Sequence, residues 1–330
     1  MGILNIGVLG AGVVGLTSTL QLLDKFPNCN ITIIADKFNQ DTTSDGAAGI
    51  FRPGTSFSGP SPEITRQWLV DSYDWYSELL NDNCGVSPVS GYIFSSTSLQ
   101  LVKNHLLEGL VPVYRPARSD ELSLCPGGWK YGSYFETLLI ECRAFLPWAL
   151  HRAQSRGVSV VRQHVDSLDQ LQSQYDVVLN CSGLGSKLLL GDHKLVPIRG
   201  QVIKVRAPWV KHFYYADYDT YIIPGSGGVV TLGGSRHYDS HHTEACGHDA
   251  AAIRERCLAL VPSLATATTL GTWTGLRPHR DTVRVQAERV GNLTVIHNYG
   301  HGGYGVTAAP GTAKYAVHLL QHTLMGNCKL

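Results

Sequence analysis

"ILNIGVLGAGVVG", residues 3–15, joins a short apolar run to three glycines in the spacing G-x-G-x-x-G. The run is typical of a buried strand. Beyond it, apolar side chains recur at intervals of three or four residues: Val13, Leu16, Leu20 and Leu23. This spacing places them on one face of a helix. A second apolar run, "ITIIA" at 31–35, predicts another strand, and Asp36 follows it directly.

The order strand, glycine turn, helix, strand and acidic residue is typical of a dinucleotide-binding site. The glycines let backbone N–H groups approach a pyrophosphate at the helix N-terminus, and the acid binds a ribose hydroxyl. The motif itself fits NAD and FAD equally well. The stretch "TTSDGAAG" at 42–49 places hydroxyls and glycines directly after the adenosine-binding half, which favours the longer cofactor, FAD.

The composition argues for a globular protein without a polyanionic partner. The 330 residues carry a formal net charge of +1 and are 43% hydrophobic, and they contain no block of like charges. We therefore expect no nucleic-acid ligand. Residues 1–23 carry no charged side chain, but a secretory leader would need basic residues ahead of its apolar core. Asn5, Thr17 and Gln21 disfavour a membrane span.

Cysteine and histidine spacing predicts no metal site. The eight cysteines include no C-x-x-C pair, which favours free thiols in a reducing compartment. "RHYDSHH" at 236–242 groups histidines with an aspartate and could chelate a metal. Because these residues lack the spacing of a ligand set, a solvated loop is the favoured interpretation.

The middle of the chain has a different pattern from its beginning. "VIKVRA" (202–207), "TYIIPG" (220–225) and "VVTLGGSR" (229–236) are short, β-rich and separated by turns, which predicts a mixed or antiparallel sheet. "YDVVLNCSGLGS" (175–186) and "NLTVIH" (292–297) predict buried strands that return the chain to the nucleotide domain.

We therefore predict an α/β protein of two domains. A Rossmann-like FAD-binding domain would be built from three segments, 1–50, 140–195 and 288–330. Residues 51–139 and 196–287 would form a substrate-binding domain with a mixed or antiparallel β-sheet. This second sheet would cover the substrate.

A second glycine-rich stretch, "HNYGHGGYGV" at 297–306, follows the last predicted strand and precedes the last predicted helix. Glycine loses more backbone freedom on ordering than any other residue, so four glycines in this stretch weaken a structural element. The arrangement repeats the phosphate-binding geometry near residue 10. In a flavoprotein such a loop can lie along the isoalloxazine ring and stabilise negative charge there.

Nine segments occur in the order seen in the D-amino acid oxidase and D-aspartate oxidase family: "GAGVVGL", "DKFNQDTTSDGAAG", "FLPWAL", "NCSGLGS", "RGQVIKVRAPWVKHF", "YIIPG", "VTLGG", "GLRPHR" and "VIHNYGHGGYGVT". The chain resembles this family over nearly its whole length. The resemblance implies non-covalent FAD and a D-amino acid held against the flavin. It also implies hydride transfer to the flavin, release of a 2-oxo acid and ammonia, and oxygen as the acceptor that yields hydrogen peroxide.

The fingerprint and the resemblance together assign FAD contacts to residues in seven parts of the chain. These are Gly10, Ala11, Gly12, Val13, Val14, Gly15, Asp36, Lys37, Thr42, Thr43, Ser44, Ala48, Gly49, Ile50, Val165, Cys181, Ser182, Gly183, Arg277, Gly302, Gly303, Tyr304, Gly305, Val306 and Thr307.

For the substrate, the resemblance implies that Arg277 binds the α-carboxylate with help from the Tyr221 hydroxyl. Arginine suits this task because its planar donors match a carboxylate and stay charged. Tyr218 lies close to Tyr221 in sequence and is an alternative. Gly303 would offer its carbonyl to the substrate amine, so positioning supplies much of the catalysis. His301 is implied to have a structural or flavin-side role.

Arg236, in "TLGGSR", decides the substrate class. By resemblance, oxidases of neutral D-amino acids carry an apolar or aromatic residue there, and D-aspartate oxidases carry arginine. A buried second cation pairs with an acidic substrate and is left uncompensated by an apolar one. The implied substrates are D-aspartate, D-glutamate and N-methyl-D-aspartate. The alternatives are an oxidase of broad neutral or basic specificity, with Arg236 in water, an NAD-linked dehydrogenase and a catalytically silent flavoprotein.

The lid-like stretch "FYYADYDT" at 213–220 departs from the family pattern, because D-aspartate oxidases can carry another arginine there and this chain has none. Asp217 and Asp219 would oppose an acidic substrate if they faced it. Arg52, in "GIFRP", follows the flavin-contacting segment, and we consider it a substitute for the missing arginine. The alternative for Arg52 is a surface or supporting position.

The last three residues, Cys328, Lys329 and Leu330, resemble the Ser-Lys-Leu peroxisomal signal with cysteine in the first position. An enzyme that makes hydrogen peroxide strengthens this interpretation. We therefore expect a peroxisomal matrix protein whose partner is the import receptor for that tripeptide.

Overall fold

The computed structural model describes residues 3–326, so the C-terminal tripeptide at 328–330 lies outside the described residues. Fourteen strands of the described chain form one sheet: β1 (Asn5–Ala11), β2 (Asn30–Phe38), β3 (Val86–Ser95), β4 (Val113–Pro116), β5 (Tyr131–Ile140), β6 (Ser159–Arg162), β7 (Val177–Asn180), β8 (Val196–Arg206), β9 (Phe213–Ala216), β10 (Thr220–Pro224), β11 (Val229–Gly233), β12 (His237–Tyr238), β13 (Thr268–Val290) and β14 (Leu293–His301). The helices are α1 (Val13–Lys25), α2 (Pro62–Glu78), α3 (Cys142–Ser155), α4 (Ser186–Leu189), α5 (Gly247–Leu260) and α6 (Gly305–Leu324). None of these helices is long and apolar enough to cross a membrane.

One part of the sheet is parallel and has the strand order β14, β7, β1, β2, β6. Its central strands are buried apolar runs, as parallel strands covered on both faces must be. All four residues of β7 are buried. The strands of this part come from the three segments predicted to form the FAD-binding domain, whose boundaries stay a prediction.

The other part of the sheet is largely antiparallel. Strands β8, β11, β10 and β9 pair antiparallel in that order, and β9 pairs in parallel with β3. The long strand β13 joins the two parts, because residues 268–279 pair with β8 and residues 284–290 pair with β14. The sheet is therefore continuous across the predicted domain boundary near residue 288.

The helix predicted after the glycine fingerprint is confirmed as α1. Its predicted apolar face is buried in the core: Val13, Leu16, Leu20 and Leu23. Helix α1 packs against α6 and α3, and α6 packs against α2. The burial of this face fixes α1 over the parallel strands, with its N-terminus at the end of β1.

The contact between α2 and α6 depends on a glycine. A Cβ on Gly311 would overlap the backbone of Trp68 in α2. The Gly311 N–H also donates to Ser72 Oγ at 2.8 Å. A bare backbone is therefore required where the two helices cross.

We predict that Gly311→Ala lowers the free energy of unfolding by roughly 1–3 kcal/mol, because the added methyl forces the two helices apart. Gly247→Ala is the matched control, since this helical glycine has no atom within 4 Å of an added Cβ. We expect the control to be neutral or stabilised by up to about 1 kcal/mol. Chemical unfolding of both variants measures this, and equal stability of the two would contradict it.

Candidate active site

A cavity of about 1140 Å³ opens at the carboxyl ends of the parallel strands. It extends from the glycine fingerprint to side chains of the antiparallel strands β8, β10 and β13. Open α/β sheets bind ligands at this edge. The volume is larger than the roughly 300–1,000 Å³ of most small-molecule pockets, so it suits a large cofactor together with a substrate.

All but one of the predicted site residues line this cavity. They are Gly10, Ala11, Gly12, Val13, Val14, Asp36, Lys37, Thr42, Thr43, Ser44, Ala48, Gly49, Ile50, Arg52, Val165, Cys181, Ser182, Gly183, Tyr218, Tyr221, Arg236, Arg277, Gly302, Gly303, Tyr304, Gly305, Val306 and Thr307. The fold thus brings the predicted cofactor and substrate residues into one space. Their contacts with ligands stay predictions.

Gly15 is the exception, and it has a packing role. Gly10 has a φ of +110° and lies so close to the loop after β7 that a Cβ would be 2.5 Å from the carbonyl oxygen of Cys181. A Cβ on Gly15 would in turn overlap the carbonyl group of Gly10. Gly15 therefore lets α1 approach the turn and does not line the cavity.

The N-terminus of α1 points its backbone N–H groups into the cavity end that holds the fingerprint. Gly12 is the N-cap residue and has no side chain that could cap the helix. Ser44 Oγ accepts one bond at 3.0 Å, from the Val13 N–H. The remaining N–H groups and the helix dipole suit an anion such as a pyrophosphate.

Asp36 lies in β2 at the edge of the same cavity end. Its Oδ2 atom is 3.2 Å from Nδ1 of His164, a residue that also lines the cavity. Sequence reasoning missed His164, because no motif connects it with a strand that is distant in the chain. The adjacent residue Val165 was predicted through the resemblance alone.

A second helix N-terminus faces the cavity at the glycine-rich stretch. Helix α6 starts at Gly305, and the side chain of its N-cap residue, Tyr304, makes no capping hydrogen bond within the described chain. Gly302 has a φ of +57°, a conformation that favours glycine. The turn from β14 into α6 therefore exposes bare backbone and a positive helix end.

Arg277 lies between two glycines at the substrate end. A Cβ on Gly200 of β8 would overlap its guanidinium group, and a Cβ on Gly303 would be 3.3 Å from its Cδ atom. Its Nη1 donates to the Ser235 carbonyl at 3.2 Å. Gly200 was missed by sequence reasoning, because its neighbour Arg277 comes from a different strand.

Tyr221, and not Tyr218, lies beside Arg277. Burial raises the pKa of Tyr221, although the nearby positive charge of Arg277 acts in the opposite direction. Tyr221 therefore stays protonated and can donate to a carboxylate. Tyr218 is 84% exposed on the turn between β9 and β10, so it lies at the rim of the cavity.

Arg236 already has a carboxylate partner. Its Nη2 donates to Asp219 Oδ1 at 3.0 Å, and the two side chains are 44% and 48% exposed. Burial lowers the pKa of Arg236, but Asp219, Tyr304 and Tyr238 together outweigh this effect, so the pKa of the guanidinium is raised. Asp217 accepts hydrogen bonds from the Ser96 N–H and hydroxyl at 3.0 and 2.6 Å.

The stretch at 236–242, predicted to be a loop, contains strand β12, which pairs with β8, and one of its residues forms an ion pair with α5. His237 Nε2 is 3.1 Å from Asp249 Oδ1, and Arg199 donates to the same carboxylate. Within residues 3–326 no three His, Cys, Asp or Glu side chains are grouped as a metal site. The seven described cysteines are free thiols.

His301 lines the cavity but is buried among apolar groups. Its Nε2 is 3.0 Å from Thr312 Oγ1, and that hydroxyl donates to the Ala309 carbonyl. The Nε2 atom of His301 therefore carries the proton and donates a hydrogen bond to the Thr312 hydroxyl oxygen. Burial lowers the pKa of His301 to about 3, so the imidazole is neutral at physiological pH.

We predict that stability falls as the pH drops below about 6.5, because unfolded His301 binds a proton that the folded protein excludes until about pH 3. Protonation of His301 in the unfolded chain should lower the free energy of unfolding by about 2 kcal/mol from pH 7 to pH 5. Chemical unfolding at both pH values tests this. His301→Gln should reduce the loss and exposed His193→Gln should not, whereas equal losses in all three proteins would contradict the prediction.

Residues 5–319 match the family described as FAD dependent oxidoreductase, DAO. This chain belongs to that family. Membership decides between the two cofactors that the fingerprint left open, and the predicted cofactor FAD is confirmed. It also excludes the NAD-linked interpretation.

Similar proteins cover nearly the whole chain. The D-aspartate oxidase of Homo sapiens is 39% identical over 326 residues, which are 96% of this chain and 94% of that protein. The D-amino acid oxidase of Dugesia ryukyuensis is 32% identical over 339 residues, or 98% and 99% of the two chains. The glycine oxidase structure from Bacillus cereus ATCC 14579 has a TM-score of 0.78 at 16% identity, covering 97% of this chain and 95% of that one. The predicted fold class is therefore confirmed.

The cavity fits FAD on physical grounds. Its two helix N-termini provide positive ends for a pyrophosphate and for a ring system that becomes negative on reduction. Gly12, Val14 and Ser44 would hold the pyrophosphate, and Asp36 would bind a ribose hydroxyl. The bare backbone of residues 302–305 would take the flavin ring.

Proposed function

We propose that this protein is an FAD-dependent oxidase of acidic D-amino acids, namely D-aspartate, D-glutamate and N-methyl-D-aspartate, with oxygen as the acceptor. The observation that carries the proposal is the set of arginines at the substrate end of the cavity: Arg52, Arg236 and Arg277. One arginine suffices for an α-carboxylate. Further guanidinium groups in the same enclosed space favour a substrate with a second carboxylate. Similarity to the human D-aspartate oxidase supports this.

The chain contributes binding and orientation. Arg277 and the Tyr221 hydroxyl bind the α-carboxylate, and the Gly303 carbonyl accepts a hydrogen bond from the amine. This fixes the α-carbon between two anchors that belong to different strands and loops. When bound, FAD supplies the hydride acceptor and transfers the electrons to oxygen, so that the products are a 2-oxo acid, ammonia and hydrogen peroxide.

No side chain is required as a general base at the α-carbon. His301 is a weak base, because burial lowers its pKa to about 3. Tyr221 has a raised pKa and stays a donor. Rate enhancement then depends on how well the two anchors orient the substrate.

The second candidate is an oxidase of neutral or basic D-amino acids. The ion pair between Arg236 and Asp219 favours it, because this arginine has a counter-charge without an acidic substrate. The D-amino acid oxidase of Dugesia ryukyuensis is a similar protein with that broader name. The two candidates differ in one measurable ratio, the activity on D-aspartate against D-alanine.

We predict that FAD-loaded protein releases peroxide from D-aspartate faster than from D-alanine, and not from L-aspartate. Arg277→Leu should lower kcat/KM for every D-substrate by roughly 100-fold, since it removes a charge-assisted pair of hydrogen bonds. Arg289→Leu on the same strand is the control, because Arg289 bonds to Thr294 Oγ1 and does not line the cavity.

A D-alanine rate equal to or above the D-aspartate rate would establish the second candidate instead. Full D-aspartate activity in Arg277→Leu would refute the assignment of the α-carboxylate anchor. If the wild-type protein binds flavin but oxidises none of these substrates, it is a catalytically silent flavoprotein.

We also propose that the tripeptide at 328–330 directs the protein to the peroxisomal matrix through its import receptor. Peroxide production supports this location. The full chain fused behind a fluorescent protein should accumulate in peroxisomes, and the same fusion lacking Leu330 should stay in the cytosol. Identical distributions of the two fusions would refute the proposal.

A further inference from the structure

We propose that Arg52 is the residue that binds the side-chain carboxylate of the substrate, in preference to Arg236. This inference rests on the proposed oxidation of acidic D-amino acids and names the residue that sets its specificity. It reverses the expectation from sequence, in which Arg236 decides the substrate class and Arg52 is a modest substitute.

Hydrogen bonds to two different elements, β5 and α6, hold the backbone at Arg52. The preceding residue, Phe51, donates its N–H to the Leu138 carbonyl and accepts from Thr137 Oγ1, both at 2.8 Å. The N–H of Arg52 lies 3.4 Å from Oγ1 of Thr307, in the first turn of α6. Arg52 is therefore fixed between strand β5 and the helix whose N-terminus faces the flavin region. Rigid support of this kind is what a specificity residue needs.

The guanidinium group of Arg52 lies over an aromatic ring and lacks a counter-charge. Its Cζ atom is 4.4 Å from the ring centroid of Tyr215 in β9. Within residues 3–326 its Nε is buried without a hydrogen-bond partner, and no carboxylate forms an ion pair with it. The ring contact stabilises the cation. It does not supply the hydrogen bond that the buried Nε atom requires, so a carboxylate ligand completes the site.

Arg52 lies near the α-carboxylate anchor, with two aromatic side chains between them. The ring of Tyr215 is tilted by 37° against the ring of Tyr221, with 5.6 Å between the centroids, and Tyr221 lines the cavity together with Arg277. Arg52 therefore lies over one member of an aromatic pair whose other member is Tyr221. A compact dicarboxylate such as aspartate has its carboxylates separated by two carbon atoms and suits two anchors held in this way.

Arg236 differs from Arg52 in both charge balance and exposure. Asp219 neutralises it at 3.0 Å, and the pair is about half exposed, so solvent weakens its field. The Asp219 carbonyl also accepts from the Gly234 N–H at 2.8 Å, which holds the turn in this position. For a substrate carboxylate to bind Arg236 it would have to compete with Asp219, whereas Arg52 has no such competitor.

Each guanidinium group that lines the cavity then has a carboxylate partner when one acidic substrate is bound. Of the lining arginines, Arg236 pairs with Asp219, and Arg52 and Arg277 are left for the two carboxylates of the substrate. The remaining carboxylate of the turn, Asp217, is bonded through Oδ2 to Ser96. A monocarboxylate substrate leaves half-buried Arg52 without a counter-charge and its buried Nε atom without a hydrogen-bond partner, which is the physical basis of discrimination.

The test compares Arg52→Gln, Arg52→Lys and Arg236→Gln in FAD-loaded protein. We expect Arg52→Gln to lower the ratio of kcat/KM for D-aspartate to that for D-alanine by roughly 30-fold, the effect of one charge-assisted interaction. Arg52→Lys should recover part of the ratio, because it keeps the charge without the planar fork. Arg236→Gln should change the ratio less than Arg52→Gln does. Flavin content and melting temperature identify any variant that has failed to fold.

A binding measurement separates this inference from the proposed function. Malonate and acetate are titrated against FAD-loaded protein, and the flavin absorption spectrum reports binding without turnover. Arg52→Gln should weaken malonate binding at least about tenfold more than acetate binding. This outcome would support the role of Arg52 even if wild-type protein preferred D-alanine, a result that overturns the proposed function alone.

Two results would overturn the inference. If Arg52→Gln weakens D-aspartate and D-alanine turnover, or malonate and acetate binding, by the same factor, then Arg52 does not recognise the side-chain carboxylate. If Arg236→Gln removes the preference for D-aspartate and Arg52→Gln retains it, then the selecting residue is Arg236.

Discussion

Unpaired backbone N–H groups at two helix N-termini are the constraint on which this cavity depends. Strands β1 and β14 are both parallel to β7, which lies between them, so α1 and α6 begin at the same edge of the sheet. Each N-terminus carries partial positive charge that requires an anion or a polar ligand. The glycines at both turns follow from this arrangement, because a side chain there would block the approach of the ligand.

The antiparallel part of the sheet supplies the charges that a small substrate recognises. Strand β13 extends from the antiparallel part into the parallel part, and Arg277 lies on it where the two meet. Substrate recognition is thereby fixed relative to the cofactor site by a continuous hydrogen-bonded strand. Gly200 on the neighbouring strand has no side chain and so leaves room for the guanidinium group of Arg277.

Three arginines in one cavity create an electrostatic cost that the protein meets in different ways. Arg277 donates to a backbone carbonyl, and Arg236 forms an ion pair that is about half exposed. Arg52 stacks on Tyr215. These differences matter for specificity, because a bound carboxylate adds little stabilisation to an arginine that already has a counter-charge. It stabilises an arginine that is held rigidly and has no counter-charge much more.

The sequence by itself determined the dinucleotide fold, because glycine spacing and apolar periodicity are local properties of the chain. Its nine motifs carried the resemblance that implied FAD and the family. The burial of the α1 face and the joint lining of one cavity by the predicted residues follow from those patterns. Only the tertiary structure decided that Gly15 packs a helix, that Tyr218 is exposed and that Asp219 pairs with Arg236. Those outcomes depend on contacts between side chains that are distant in sequence or separated by a turn, and no local pattern encodes the direction in which a side chain points.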